Sequence, residues 1–158
     1  MARSAAPVVS FTRPADTTAY AAGDLVANST TAGSVSPLTF DLTELRSSGK
    51  VRNARLQKSG ATATLATFRL HLFDRVKAVT NGDNGALAFA NYDGYVASMD
   101  IDLATGAIAL AGGPLTKFSA EIAAGFNRTE RLYGYLEARA AYVPANAEVF
   151  TVALSVEG

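Results

Sequence analysis

Hydrophobic and polar side chains alternate along several stretches of this chain. The clearest stretch lies within residues 62–73, where apolar residues occupy every second position: Ala66, Phe68, Leu70 and Leu72. The last segment follows the same rule, with Phe150, Val152, Leu154 and Val156. Because successive side chains of a strand point to opposite faces, this alternation predicts strands that bury one face.

Shorter alternating runs predict further strands at 38–42, 51–58, 95–103, 115–122 and 132–142. Asn and Gly residues, which favour turns, are most dense at 81–85. About eight strands without a long helical period predict an all-β fold, either an antiparallel β-sandwich or a jelly roll. The runs 51–58 and 62–73 are joined by the short turn Ser59-Gly60, so we predict that they form an antiparallel hairpin.

The first 35 residues have a weaker pattern. Only 8–11 and 23–28 are candidates for short edge strands, and Pro14 stops the first because proline cannot donate a ladder hydrogen bond. We therefore divide the chain into an extended N-terminal arm with short edge strands, residues 1–35, and a β-sandwich domain, residues 36–158. On this interpretation, deleting residues 1–30 leaves the domain folded.

Charge and composition exclude several classes of partner. The chain has 14 basic and 14 acidic residues, and no two Lys or Arg residues are adjacent. Nucleic-acid binding relies on a clustered basic excess, so we expect no nucleic-acid partner. The most apolar stretch, 103–110, is too short to cross a bilayer, so we expect no membrane partner. Since it has no cysteine and no apolar leader at its start, the chain is predicted to be made in a cytoplasm.

Few residues suggest metal binding or acid–base catalysis. His71, the only histidine, lies mid-strand beside Arg69, whereas catalytic groups collect at strand ends and in loops. We interpret it as a solvated or interface-facing strand residue. Asp100 and Asp102 share one face of a predicted strand but lack the spacing of a calcium-binding loop. We therefore expect no metal ion and no cofactor.

Hydrolysis of sugars is also disfavoured. Glycosidases use two carboxylates at a set separation, and the candidates here are Glu121, Glu130 and Glu137. The chain has no tryptophan, which removes the commonest platform for stacking on a sugar ring. The sequence therefore predicts a protein that is not an enzyme.

One predicted strand combines aromatic and charged side chains. Its first face carries Tyr133, Tyr135, Glu137 and Arg139, and its second face carries Leu132, Gly134, Leu136 and Ala138. Tyrosine and arginine are enriched in protein interfaces, which favours the first face as an exposed binding surface. A two-sheet sandwich must also bury one face of every strand, so the tyrosine face is equally a candidate for the core.

Three parts of the sequence resemble a family of small virion proteins of tailed bacteriophages. They are residues 11–27, residues 68–73 with Asp83-Asn84 and 86–89 after them, and Leu132-Tyr133-Gly134 through 141–144 to the final strand. The resemblance covers most of the chain. It implies a capsid decoration or cement protein that binds the major capsid protein or other virion proteins, as a homo-oligomer (trimer or dimer). It implies no catalytic residues.

On this hypothesis, the arm and the tyrosine strand carry the protein contacts. The predicted contact residues are Phe11, Arg13, Tyr20, Tyr133, Tyr135 and Arg139. The expected location is the virion, on the capsid surface. The alternatives are a tail, baseplate or head–tail connector component, or a carbohydrate-binding module that recognises the host envelope.

Overall fold

A computed structural model of the chain describes residues 3–45, 48–111 and 113–158. Two antiparallel sheets, one of seven strands and one of five, face each other, which confirms the predicted β-sandwich. The helical segments of the described ranges are two short 3₁₀ turns, Ala32–Ser34 and Thr43–Leu45. No helix in those ranges is long and apolar enough to span a membrane.

Twelve strands form the two sheets, and three of them have only two residues. In chain order they are β1 (Ser4–Ala5), β2 (Val8–Thr12), β3 (Leu25–Val26), β4 (Leu38–Asp41), β5 (Ser48–Lys58), β6 (Thr67–Phe73), β7 (Tyr95–Asp102), β8 (Ile108–Ala109), β9 (Leu115–Phe118), β10 (Ala124–Asn127), β11 (Arg131–Ala138) and β12 (Val149–Glu157).

The seven-stranded sheet has the order β1-β12-β5-β9-β8, with β2 also beside β12 and β10 also beside β5. The five-stranded sheet has the order β3-β11-β6-β7, with β4 also beside β11. The long strands β5, β12, β6 and β11 therefore occupy the centres of the sheets. The short strands lie mostly at the edges.

The core lies between the inward faces of the two sheets. Phe68, Leu70 and Leu72 from β6 and Phe150, Val152 and Leu154 from β12 are all buried, which confirms the faces predicted from their alternation. The rings of Phe68 and Phe150 meet edge to face, with 5.4 Å between their centroids. Burial of these side chains is the main favourable contribution to folding.

The predicted hairpin between residues 51–58 and 62–73 is wrong. Strand β5 pairs with β12, β9 and β10, whereas β6 pairs with β11 and β7 in the opposite sheet. The carboxylate of Glu148 holds the chain where it leaves β5, since it accepts hydrogen bonds from Lys58 Nζ at 3.0 Å and from the Gly60 N–H at 3.1 Å. The connection therefore crosses between sheets instead of turning back.

The predicted N-terminal arm is not confirmed. Strands β1 and β2 pair along β12, from Ser4 opposite Glu157 to Thr12 opposite Val149. Strand β3 pairs with β11, and both of its residues are buried. The short strands predicted within residues 1–35 are therefore present. They belong to the two sheets of the sandwich and do not form a separate arm. Deleting residues 1–30 would remove three strands, so the folded truncation expected from the sequence has no structural support.

Truncating a central core residue tests the assignment of the inward faces. Leu70→Ala is expected to lower the free energy of unfolding by about 2–5 kcal/mol, because it opens a cavity under a fully buried side chain. Urea unfolding of the purified protein measures this. Thr67→Ala, at an outward position of the same strand, serves as the control. A loss below about 0.5 kcal/mol for Leu70→Ala would show that the face is assigned wrongly.

Candidate functional site

The outer face of the five-stranded sheet carries a cluster of five aromatic rings, which we call the aromatic ledge. Its members are Phe73, Phe89, Tyr92, Tyr95 and Tyr135. Three come from strand positions of β6, β7 and β11, and two come from residues 74–94, the loop that joins β6 to β7. This loop folds back over the sheet and covers part of its outer face.

The ledge has a buried base and exposed tips. Phe73 and Tyr135 are buried, with ring centroids 4.8 Å and 5.3 Å from that of Phe89. Tyr92 and Tyr95 remain 67% and 40% exposed, and their centroids are 5.9 Å apart in an edge-to-face arrangement. Edge-to-face pairs at such distances are favourable beyond the area they bury. The two exposed rings are therefore held in place by rings that are not themselves exposed.

The hydroxyl of Tyr135 fixes the near end of the loop. It donates to the carbonyl of Lys77 and accepts from the N–H of the same residue, both at 2.8 Å. Burial raises the pKa of Tyr135 above its usual value, which keeps the hydroxyl protonated and able to donate. A buried tyrosine thus satisfies two backbone groups that the loop would otherwise leave unpaired.

Asp83 fixes the middle of the loop. One carboxylate oxygen accepts from the Tyr20 hydroxyl at 2.7 Å and from the Ala27 N–H at 2.8 Å. The other oxygen pairs with Nη2 of Arg13 at 3.0 Å, and both side chains are fully buried. The loop is therefore tied to the segment that precedes β3.

Charged side chains continue the outer face beyond the ledge. His71 Nε2 lies 2.6 Å from Oε2 of Glu137, and Arg139 Nη1 lies 2.7 Å from Oε1 of the same carboxylate. Burial alone would raise the pKa of Glu137, but the hydrogen bonds from His71 and Arg139 outweigh it and hold that pKa below its usual value. The His71 side chain is only 14% exposed, which argues against the solvated alternative, and its interface-facing alternative stays a prediction.

Arg69 and Asp100 form a neighbouring pair. The guanidinium donates to both carboxylate oxygens, at 2.7 Å and 3.0 Å, and this contact holds the pKa of Asp100 below its usual value. Together with Asp102 and Arg139, these two residues line a shallow cleft of about 230 Å³ at the end of the outer face. Asp102 accepts the Ala104 N–H at 2.9 Å.

The tyrosine face of β11 is the outer face of its sheet. Leu132, Leu136 and Ala138 belong to the core between the sheets, which decides between the two possibilities left open by the sequence. Tyr135 is nonetheless buried, because the loop covers it. Tyr133 is half-buried, and Arg139 is exposed at the end of the strand.

The three predicted contact residues near the N-terminus are largely enclosed by this chain. Phe11 is half-buried and stacks on Phe150, with 5.6 Å between ring centroids. Arg13 and Tyr20 are buried and hydrogen-bonded to each other at 2.8 Å. Arg13, Tyr20 and Tyr135 are therefore structural residues in this fold. A contact role stays a prediction for Phe11, Tyr133 and Arg139.

Sequence reasoning missed the two exposed aromatic residues of the ledge, Tyr92 and Tyr95. Tyr92 follows a turn-rich stretch without alternation, and Tyr95 begins a strand at a register shift between β6 and β7. The available signal was compositional: Phe89, Tyr92 and Tyr95 are three aromatic residues within seven positions, next to the densest turn in the chain.

No group of three or more potential metal ligands occurs among residues 3–45, 48–111 and 113–158. The residues of the outer face are suited to stacking, hydrogen bonding and ion pairing with a partner surface.

No protein-family model matches this chain, and no match is found among curated proteins. One similar solved structure is the K1 cleaved adhesin domain of Lys-gingipain (Kgp) from Porphyromonas gingivalis W83. It has 8% identity and a TM-score of 0.32, with 96% of this chain and 97% of that chain covered. Another is the decameric BFDV capsid protein, with 12% identity, a TM-score of 0.27, and 99% and 98% coverage. Similarities this weak carry no argument about function.

The buried Arg13–Asp83 pair is expected to stabilise both the fold and the loop. Asp83→Asn should lower the free energy of unfolding by about 3 kcal/mol, because the buried guanidinium loses its only fully buried carboxylate partner in the described ranges and keeps only the part-exposed Asp16. Hydrogen exchange of the amides in 74–94 should become faster. Asp74→Asn, in the more exposed Arg75–Asp74 pair, is the control and should cost about 1 kcal/mol or less.

A double-mutant cycle separates the ion pair from general packing. Arg13→Met combined with Asp83→Asn should be less destabilising than the sum of the two single changes, because neither buried member of the pair is left as an unpaired charge. Strict additivity would contradict the role given to the pair.

The lowered pKa of Glu137 predicts a specific dependence of stability on pH. A carboxylate with a lowered folded-state pKa stabilises the protein above its unfolded pKa, near 4.5, and this contribution is lost as the pH falls through the folded value. Native protein should therefore be more stable than Glu137→Gln at pH 5.5, and the difference should shrink below pH 4.5. Urea unfolding between about pH 5.5 and 2.5 measures it.

Glu130→Gln is the matched control, because Glu130 is exposed and forms no ion pair within the described ranges. Its difference from the native protein should stay small at every pH. A Glu137→Gln difference that does not change with pH would contradict the ion-pair explanation.

Proposed function

We propose that this chain is a structural protein of a tailed-phage virion, which decorates the capsid by binding the major capsid protein. Two lines of support lead to this proposal. The sequence resembles small virion proteins of tailed phages over most of its length. The observation that carries the binding role is the edge-to-face pair of exposed tyrosines, Tyr92 and Tyr95, on the outer face of the five-stranded sheet.

Exposed tyrosines on a buried aromatic base are efficient contact residues. Tyrosine has two side-chain torsions and a large amphipathic surface, so it loses little conformational entropy on binding. Here Phe73 and Phe89 already restrict the rings, with Phe73 to Tyr95 at 5.3 Å and Phe89 to Tyr92 at 6.3 Å between centroids. The two tyrosine rings therefore lose little further conformational entropy when a partner binds.

The charges beside the ledge suit the polar rim of an interface. Arg69 is paired with Asp100, and Arg139 with Glu137, so each charge is balanced within this chain. The whole chain has a formal net charge of zero. Long-range repulsion therefore does not oppose association with a neutral or moderately charged surface. Arginine in particular is enriched at protein interfaces.

A capsid lattice offers many identical binding positions. A small domain that binds each position through one aromatic patch needs only moderate affinity per contact, and contacts between neighbouring copies would add to it.

Localisation in the particle is the direct test of this function. Virions of the phage that encodes the chain are purified, and the protein is located by cryo-EM and counted by quantitative mass spectrometry. Hundreds of copies on the head would support the proposal. About a dozen copies on the tail or at the connector would replace it with the tail or connector alternative, and absence from the particle would reject both.

Substitutions in the ledge test how the chain binds. Tyr92→Ser combined with Tyr95→Ser should weaken binding to purified heads that lack this protein by at least about tenfold, as expected for aromatic hot spots. Val8→Ser, at an exposed apolar position on the opposite sheet, is the matched control and should bind normally. Pelleting of heads with labelled protein measures both. Equal binding by the two variants would show that the ledge is not the contact.

The same ledge favours a second candidate, recognition of a host-envelope carbohydrate. Aromatic side chains can stack on a sugar ring, and charged pairs such as Arg69–Asp100 can form hydrogen bonds with its hydroxyl groups. An array of host glycans separates the two candidates. Binding to a glycan that Tyr92→Ser abolishes, together with absence of binding to heads, would support this candidate over capsid decoration.

A further inference from the structure

The free edge of the seven-stranded sheet is strongly apolar. Strand β8 is the terminal strand of that sheet, and no strand pairs with its other side in the part of the chain that the structure describes. Ile108 and Leu110 are 66% and 67% exposed, and Phe118 on the adjacent β9 is 56% exposed. These are among the most exposed large apolar side chains of the protein.

Ile108 and Phe118 lie on the same face of the sheet. Ile108 is opposite Thr116 in the β8–β9 pairing, and Phe118 is two residues further along β9, so Ile108 and Phe118 are diagonal neighbours. Leu115, which alternates with Thr116 and belongs to the core, marks the opposite face as the inner one. Ile108 and Phe118 therefore form an outward apolar pair at the edge, and the exposed Leu110 follows directly after β8.

This edge lacks the charged and proline side chains that commonly protect an edge strand, and only the shortness of β8 limits pairing. Natural edge strands are commonly blunted by a charged residue, most often lysine, or by proline within the strand. Residues 103–116 contain no charged side chain, and Pro114 lies in the turn after β8. The nearest lysine, Lys117, directs its ammonium group to the carbonyl of Thr105.

The local sequence is complementary to itself. Residues 107–111 read Ala-Ile-Ala-Leu-Ala, which is symmetric in size about Ala109. In an antiparallel pairing of two copies about Ala109, Ile108 of each copy lies opposite Leu110 of the other, and alanine lies opposite alanine. A twofold axis requires such a self-complementary surface.

We propose that two copies of this chain associate edge to edge through β8, which joins their seven-stranded sheets into one continuous sheet. The absence of charge favours a second copy as the occupant of this edge, because no charged group here would attract an oppositely charged partner and none would repel an identical edge. The strand pairing between the two copies is short. The carbonyl of Leu110 cannot extend it freely, because it already accepts the Gly113 N–H at 2.9 Å. The dimer is therefore in measurable equilibrium with the monomer.

Concentration-dependent mass tests the dimer on purified full chain, without any capsid. Light scattering and sedimentation across the micromolar to millimolar range should show a shift from 16.4 kDa toward twice that mass. Ile108→Lys combined with Leu110→Lys should raise the dimer dissociation constant at least tenfold. Val8→Lys, on the opposite edge of the same sheet, should leave it unchanged.

A single introduced cysteine tests the geometry, because the native chain has none. Residues paired across antiparallel strands have Cα atoms about 4.5–5.5 Å apart, which is within the range a disulfide requires. Ala109→Cys should therefore form a covalent dimer under mild oxidation, and Ala90→Cys, exposed in the β6–β7 loop, should not.

A native protein that stays monomeric throughout, a trimer, or equal cross-linking of both cysteine variants would overturn this proposal. None of these results would bear on whether the ledge binds a capsid. Failure of Tyr92→Ser and Tyr95→Ser to weaken head binding would likewise leave the dimer intact.

Discussion

A buried ion pair between Arg13 and Asp83 holds separate parts of this chain together. Every nitrogen of the guanidinium is used: Nε binds the Tyr20 hydroxyl, Nη1 binds the Asp16 carbonyl, and Nη2 binds the carboxylates of Asp16 and Asp83. Burying two charges is tolerable only when their hydrogen bonds are complete. The pair therefore fixes the N-terminal segment and the β6–β7 loop at one point, and the exposed rings of the ledge depend on the position of that loop.

A second buried network supports the first. The Tyr142 hydroxyl donates to Glu148 at 2.6 Å, and Glu148 pairs with Lys58 at 3.0 Å, with both charged side chains fully buried. The rings of Tyr142 and Tyr20 are nearly parallel, with centroids 6.4 Å apart, so they connect the two networks. The same Glu148 directs the chain away from β5 at the crossover between sheets. One set of buried polar residues thus determines both the connectivity and the position of the loop.

The sequence predicted the class of fold and the inward faces but not the pairing of strands. Alternation at Leu70 or Val152 depends only on local geometry, so it can be read without knowing which strands are neighbours. The β5–β6 hairpin was wrong because the deciding contact, Lys58 with Glu148, joins residues 90 positions apart. Arg13 and Tyr20 were taken for surface residues for the same reason, since their partner Asp83 is distant in sequence. Tyr92 was missed because it lies in a loop, where no periodicity marks burial or exposure.

The two surfaces of interest differ in what limits their association. The ledge is one face of a broad sheet, and its tyrosines are separated from the core by the buried rings beneath them. The apolar edge is narrow: Gly106 has a φ of +70° just before β8, and the turn that Gly113 closes on Leu110 follows it. A long unprotected edge would add strands without limit. An edge bounded on both sides by turns, and paired about a twofold axis, is used up once two copies have met. The shortness of β8 therefore explains how such an apolar edge is compatible with the proposed dimer, which would leave the outer face of the opposite sheet uncovered.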